Sequence, residues 1–104
     1  MARLIWAEPA LNDLEAVADY IALDNPAAAR RLVARVFESV ERLERFPHSG
    51  KRPPECRRSL YRELVVAPCR VFYRVEGDTV FVLHVMRAER LFHRFLLDER
   101  NRSQ

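Results

Sequence analysis

Arginine supplies most of the chemistry open to this chain. Of its 104 residues 17 are Arg, and Lys51 is the single Lys. Arg62, Arg70 and Arg74 recur along two strand-like runs, and Arg87 and Arg90 gather at the end of a third. A guanidinium presents a planar fork of donors that suits phosphate and carboxylate. Several of them converging on one sheet face would attract a phosphate backbone or an acidic helix; the plainer alternative is that each pairs at the surface with Glu63, Glu76 or Glu89. Groups that could do more than hold an anion are sparse. There is no GxSxG, no HExxH and no Gly-rich phosphate loop, and only two glycines in all. His48, His84 and His93 are scattered, and His84 on its apolar run reads as a packed histidine rather than a general base, which needs a positioned proton partner. Cys56 and Cys69 form neither a CxxC nor a metal-ligand spacing and read as reduced thiols. The residues therefore point to binding, with no catalytic set, no metal and no cofactor.

The elements that must position these arginines follow from periodicity. Leu60–Val66 and Cys69–Val75 alternate like strands, with Ala67-Pro68 between them. Even spacing puts Arg70 and Arg74 on one face, with Tyr73 between them as a supporting aromatic. Gly77-Asp78 is a two-residue hairpin signal. Thr79–Met86 is apolar on both faces, which predicts a central strand. Its free side is then taken by a first strand over Arg3–Ala7, giving a sheet order of 1-4-3-2. Between the first strand and the rest lies a helical hairpin. Glu8-Pro9 starts one helix, with Leu11, Leu14, Val17, Ala18 and Ile21 as its apolar face. Asn25 is a good N-cap and Pro26 a good first residue for a second helix. That helix is expected to run to Phe46, with a stripe of Ala29, Leu32, Val33, Val36, Phe37, Val40 and Leu43. Residues 47–58, with three prolines and a glycine, read as an irregular loop. Leu91, Phe92, Phe95, Leu96 and Leu97 predict a short closing helix within 88–100. The fold class is α+β in one domain over residues 1–104.

Charge divides the same way. Residues 1–47 carry 6 basic and 8 acidic side chains, and residues 48–104 carry 12 and 7, so the overall +3 arises wholly in the strand-rich half. That pattern fits either a solvated basic surface or an acidic partner. Nothing approaches the ~18 apolar residues of a membrane span, and no signal-peptide run is present at the N-terminus; a soluble cytoplasmic protein is expected.

Taken together, the strand, helical hairpin, Pro47-x-x-Gly50 loop, Arg62, Arg70-x-x-Tyr73-Arg74, Gly77-Asp78 turn, apolar strand and closing Arg90 resemble the RelE/ParE superfamily of type II toxins. The resemblance spans nearly the whole chain and is most specific from Cys69 to Arg90. It implies a small antiparallel sheet against a helical hairpin, with the last three strands as an antiparallel meander. It also implies one of two activities: cleavage of mRNA on the ribosome in RelE-like members, or inhibition of DNA gyrase without RNA cleavage in ParE-like members. In the ribonuclease branch basic residues hold the scissile phosphate beside a Tyr or His near the C-terminus. Arg62 and Arg70 fall on two of those basic positions. Leu64 replaces a second lysine, Ala88 stands where another arginine is expected, and neither a tyrosine near Arg94 nor a terminal His-Tyr pair is present. Without such a group, proton transfer worth roughly 10²–10⁴-fold in rate is lost. The departures favour the ParE-like branch: a non-catalytic gyrase inhibitor, neutralised by a ParD-like antitoxin in a hetero-oligomer, reaching operator DNA only through that antitoxin, with no membrane role. Arg62, Arg70, Arg74, Arg87 and Arg90 would form the face that meets antitoxin, gyrase or the DNA gyrase holds. The alternatives are a ribosome-dependent mRNA endonuclease and an interaction module without toxicity.

Overall fold

A computed structural model describes residues 1–90 and 92–104. The chain runs β1 (Arg3–Trp6), α1 (Glu8–Ala22), α2 (Pro26–Glu41), a 3₁₀ turn (Arg42–Glu44), a second 3₁₀ turn (Pro54–Cys56), β2 (Arg62–Val66), β3 (Cys69–Glu76), β4 (Thr79–Arg87) and α3 (Arg94–Arg102). The strands form one sheet in the order β1-β4-β3-β2, as the apolar character of β4 predicts. β2, β3 and β4 are antiparallel neighbours, whereas β1 lies parallel to β4 and makes the sheet mixed.

α1 and α2 begin where their sequence signals lie, at Glu8-Pro9 and Asn25-Pro26. Asn25 Oδ1 accepts the Ala28 N–H at 3.1 Å, capping α2. Two boundaries differ from expectation. α2 stops at Glu41 rather than Phe46, and one 3₁₀ turn tucks in Leu43 before Pro47, which disfavours helix in the residue ahead of it. The closing helix starts at Arg94 rather than near 88, because Ala88 N–H still bonds back to Pro68 O at 2.8 Å. Of the residues in its expected stripe, Leu91 lies outside the described residues, Leu97 is fully buried, and Phe95 is exposed.

The core lies between the helical hairpin and one face of the sheet. Ala10 and Leu14 from α1, and Leu32, Val36 and Val40 from α2, meet Val71, Tyr73, Val80, Val82 and Val85. Leu11 and Phe37, expected on the apolar stripes, are exposed, although Phe37 still sets its ring 5.0 Å from that of Trp6, tilted by 48°. α3 crosses the opposite face of the sheet, where Phe72 packs on Phe92 at 5.2 Å.

The register contains one irregularity. Phe72 pairs with His84 but Tyr73 pairs with Val82, so Leu83 is an extra residue in β4. The bulge keeps Phe81, His84 and Met86 on the face of Arg70, Phe72 and Arg74. Gly77, with φ 59°, makes the β3–β4 turn.

Candidate functional site

Register decides which arginines can act together. Residues opposite each other in a ladder share a face. Val65 faces Arg70 and Glu63 faces Phe72, so these belong to the side crossed by α3. Arg62 faces Tyr73 and therefore lies on the other side, toward the helical hairpin. The expected single basic face thus divides, and this corrects the sequence-based placement. Parity along one strand is visible in a sequence; parity between strands depends on the register of the Ala67-Pro68 turn.

On its side of the sheet, Arg62 donates through Nη1 to His48 O at 3.1 Å and Gly50 O at 2.9 Å, holding the 47–50 loop. Tyr73 is wholly buried beside it. Its hydroxyl donates to Pro47 O at 2.9 Å and accepts the Gly50 N–H at 2.8 Å, and burial raises its pKa. The tyrosine expected to support the basic face instead ties down a loop.

Arg70 is the hub of the opposite side. Its two terminal nitrogens bond Glu55 at 2.8 Å each, and Nε bonds Glu63 Oε2 at 2.7 Å. The guanidinium also lies 4.9 Å from the Phe72 ring centre and 5.5 Å from that of Phe92. Only 11% of this side chain is exposed, and Glu63 retains 1%. Hydrogen bonding to Arg70 holds the Glu55 carboxyl below its ordinary pKa against a small burial effect, and the same contacts hold the Arg70 pKa above its own. Arg74 stacks 4.1 Å over Phe81 and bonds Asn101 of α3. An open basic surface was expected at these two residues; both are covered and paired.

A polar cluster that the sequence did not announce lies at the outer edge of β4. β1 ends at Trp6 opposite Val82, which leaves the edge of residues 83–87 without a neighbouring strand among the described residues. Asp13 of α1 and Arg100 of α3 fill part of the gap. Asp13 Oδ2 accepts from Val85 N at 3.1 Å and from Arg100 Nη1 at 2.5 Å, and Arg100 Nη1 also donates to Leu83 O at 3.1 Å. His84 Nδ1 lies 2.7 Å from both Asp13 Oδ2 and Arg100 Nη1, so it either donates to the first or accepts from the second. Burial raises the Asp13 pKa, but the bonds from His84, Arg100 and Val85 more than offset it, and the net shift is downward. The partners are separated by 71 and 87 residues, beyond the reach of any local pattern.

Next to this cluster a groove of about 470 Å³ runs between α1, the end of β4 and α3, bordered by Tyr20, Met86, Arg87, Arg90 and Leu96. Arg87 lies over the Tyr20 ring at 4.7 Å. Arg90 is exposed, and among the described residues it has no ion-pair partner. Among the described residues no three His, Cys, Asp or Glu side chains are grouped as metal ligands would be, and no helix is long and apolar enough to cross a membrane. Cys56 and Cys69 are buried free thiols.

A helical hairpin on a 1-4-3-2 sheet, with Arg62, Arg70, Arg74 and Arg87 on the last three strands, defines the class as a RelE/ParE superfamily toxin. More narrowly, residues 4–92 match the family described as ParE toxin of type II toxin-antitoxin system, parDE, and the chain belongs to that family. Toxin RelE2 of Caulobacter vibrioides is 35% identical over 92 residues, covering 88% of this chain and all of the relative. The Sinorhizobium fredii protein Y4kP is 41% identical over 88 residues, covering 83% of this chain and 88% of its own. A solved chain of the chromosomal ParDE TA system from P. aeruginosa superposes with a TM-score of 0.71 at 30% identity, covering 86% of this chain and 98% of that one.

Proposed function

We propose that this toxin acts in the cytoplasm by binding DNA gyrase, without chemistry of its own, and is neutralised by a ParD-like antitoxin. The observation that carries the reading is the fate of Arg62 and Arg70. These two residues stand where a RelE-like ribonuclease would hold its scissile phosphate. They lie on opposite sides of the sheet, one engaged with loop carbonyls and the other with two carboxylates. A phosphate clamp needs both on one side with donors to spare. In this reading Arg62, Arg70 and Arg74 maintain the scaffold, while Arg87 and Arg90 are the arginines that meet a partner.

The exposed apolar side chains Tyr20, Leu23 and Phe95 support an antitoxin that covers part of the helical surface. A DNA supercoiling and cleavage assay with purified gyrase tests the target. Lost supercoiling or trapped cleavage complexes are expected, and the absence of both would remove the gyrase claim. The relative named RelE2 motivates one rival, ribosome-dependent mRNA cleavage. Cuts in mRNA on translating ribosomes, absent without the toxin, would favour it.

A further inference from the structure

We infer that the surface formed by the Arg57-Arg58 turn and the first turn of α3 binds single-stranded DNA, with the arginines on phosphates and the Phe95 ring against a base. Arg57 and Arg58 occupy a turn that is fixed from inside. Cys56 O accepts the Ser59 N–H at 3.0 Å and the Ser59 hydroxyl at 2.7 Å, and Arg52 Nη1 donates to Ser59 O. Ser59 is buried while both arginines are exposed, and among the described residues neither arginine has an ion-pair partner. Two contacts join this turn to the start of α3. Arg70 bonds Glu55 at 2.8 Å and lies 5.5 Å from the Phe92 ring centre. Tyr61, whose N–H bonds Ser59 Oγ at 3.3 Å, donates its hydroxyl to Asp98 at 2.5 Å. The turn and residues 92–98 therefore share one continuous surface.

Charge on this surface is one-sided. Glu55 is taken by the Arg70 fork, and Asp98 by the Tyr61 hydroxyl and by Arg94 at 3.7 Å. Arg57 and Arg58 keep free donors, which suit phosphate oxygens. The same surface carries an aromatic ring that the fold leaves unused. Leu97 anchors α3 in the core, whereas Phe95 is 64% exposed and lies against His93, ring centre to ring centre at 5.5 Å. Exposed rings among cations offer a face for stacking, and only a strand whose bases are unpaired can use it. An acidic protein segment would satisfy the arginines but give the Phe95–His93 pair no planar partner. Glu99, one helical turn beyond Phe95 on the same outward side, bounds the surface against a polyanion at that end. The choice of DNA over RNA rests on the gyrase reading; the pairing of cations with an exposed ring does not.

The test is fluorescence anisotropy of the whole chain with a dye-labelled oligothymidylate of about 12 nucleotides. Binding should weaken by about fivefold or more in Phe95→Ala and be retained in Phe95→Trp. The double variant Arg57→Gln, Arg58→Gln should weaken it by about tenfold or more and lower the slope of log K against log salt by about 1.4, two phosphate contacts at ~0.7 each. Glu99→Gln should tighten it. All variants lie at the surface and should keep the circular dichroism of the unmodified chain. Tighter binding of the matching duplex or of oligouridylate, competition by polyglutamate as strong as by unlabelled oligothymidylate, or an affinity that neither the arginine nor the Phe95→Ala variant changes would overturn the inference. Oligothymidylate binding together with a negative gyrase assay would leave the inference standing and remove the target. Gyrase inhibition by a chain that binds no oligothymidylate would do the reverse.

Discussion

The Gly50 N–H and the Tyr73 hydroxyl lie 2.8 Å apart, and the absent side chain of the one makes room for the ring of the other. A Cβ on Gly50 would stand 2.7 Å from Tyr73 Cε1 and 2.8 Å from Glu63 O, closer than such atoms approach. Gly50→Ala must therefore displace either the tyrosine or the Lys51–Glu63 bridge, at about 1–3 kcal/mol. Tyr73→Phe leaves the Gly50 N–H and Pro47 C=O unpaired in a buried site, again costing about 1–3 kcal/mol. Urea midpoints measure both. Unchanged midpoints would mean that the loop is not held by this residue.

Acid should weaken the fold through Asp13. Its folded pKa lies below the ordinary 3.8, so its contribution is complete above 3.8 and is lost as pH falls through the folded value. Glu55, also depressed from 4.5, adds to the same loss. Asp13→Asn should cost about 2 kcal/mol at neutral pH, since it leaves Arg100 without its anion. The difference between the two proteins should shrink below about pH 4. A difference independent of pH would show that the charge of Asp13 does not matter.

Removing Arg70 should cost stability before it costs anything else. Arg70→Ala leaves Glu63 buried with only Lys51, 3.6 Å away, a loss of about 3 kcal/mol. Arg70→Lys should recover little, because an ammonium cannot serve Glu55 and Glu63 with a three-point fork. The double variant Arg70→Ala, Glu63→Gln should be more stable than Arg70→Ala alone. If thermal melts ranked them the other way, the buried carboxylate would not be the source of the cost.

α3 hangs on few anchors, which makes it separable. Leu97 is fully buried, Tyr61 Oη donates to Asp98 at 2.5 Å, and Arg100 reaches Asp13. Leu97→Ala should cost about 2–4 kcal/mol and raise amide exchange across Arg94–Arg102 more than in β3. Uniform acceleration in both elements would show that the helix unfolds only with the rest.

Much of the fold could be read from the chain because its signals are local. The two-sided apolar run of β4 marked a central strand, and Asn25-Pro26 and Gly77-Asp78 marked the turns. The candidate site was less legible. Arg62 and Arg70 look alike in a sequence, yet they point to opposite sides because of how β2 aligns with β3. Glu55 sits in a proline-rich loop with no periodicity, so nothing local showed that its carboxylate would occupy the Arg70 fork. The Asp13–His84–Arg100 cluster arises only because β1 is four residues long and leaves an edge to be satisfied. The sequence suggested a strand there but not that its shortness would matter.

Pairing the first strand with the last has a consequence for biosynthesis. β1 is made well before its strand neighbour among the described residues, Thr79–Val82 of β4, leaves the ribosome. Until then the helical hairpin has no sheet to rest on, and its apolar faces stay open. Such late, long-range closure slows folding and prolongs the exposed interval. A nascent chain of this fold thus cannot complete its sheet, or cover its helical hairpin, until β4 has emerged.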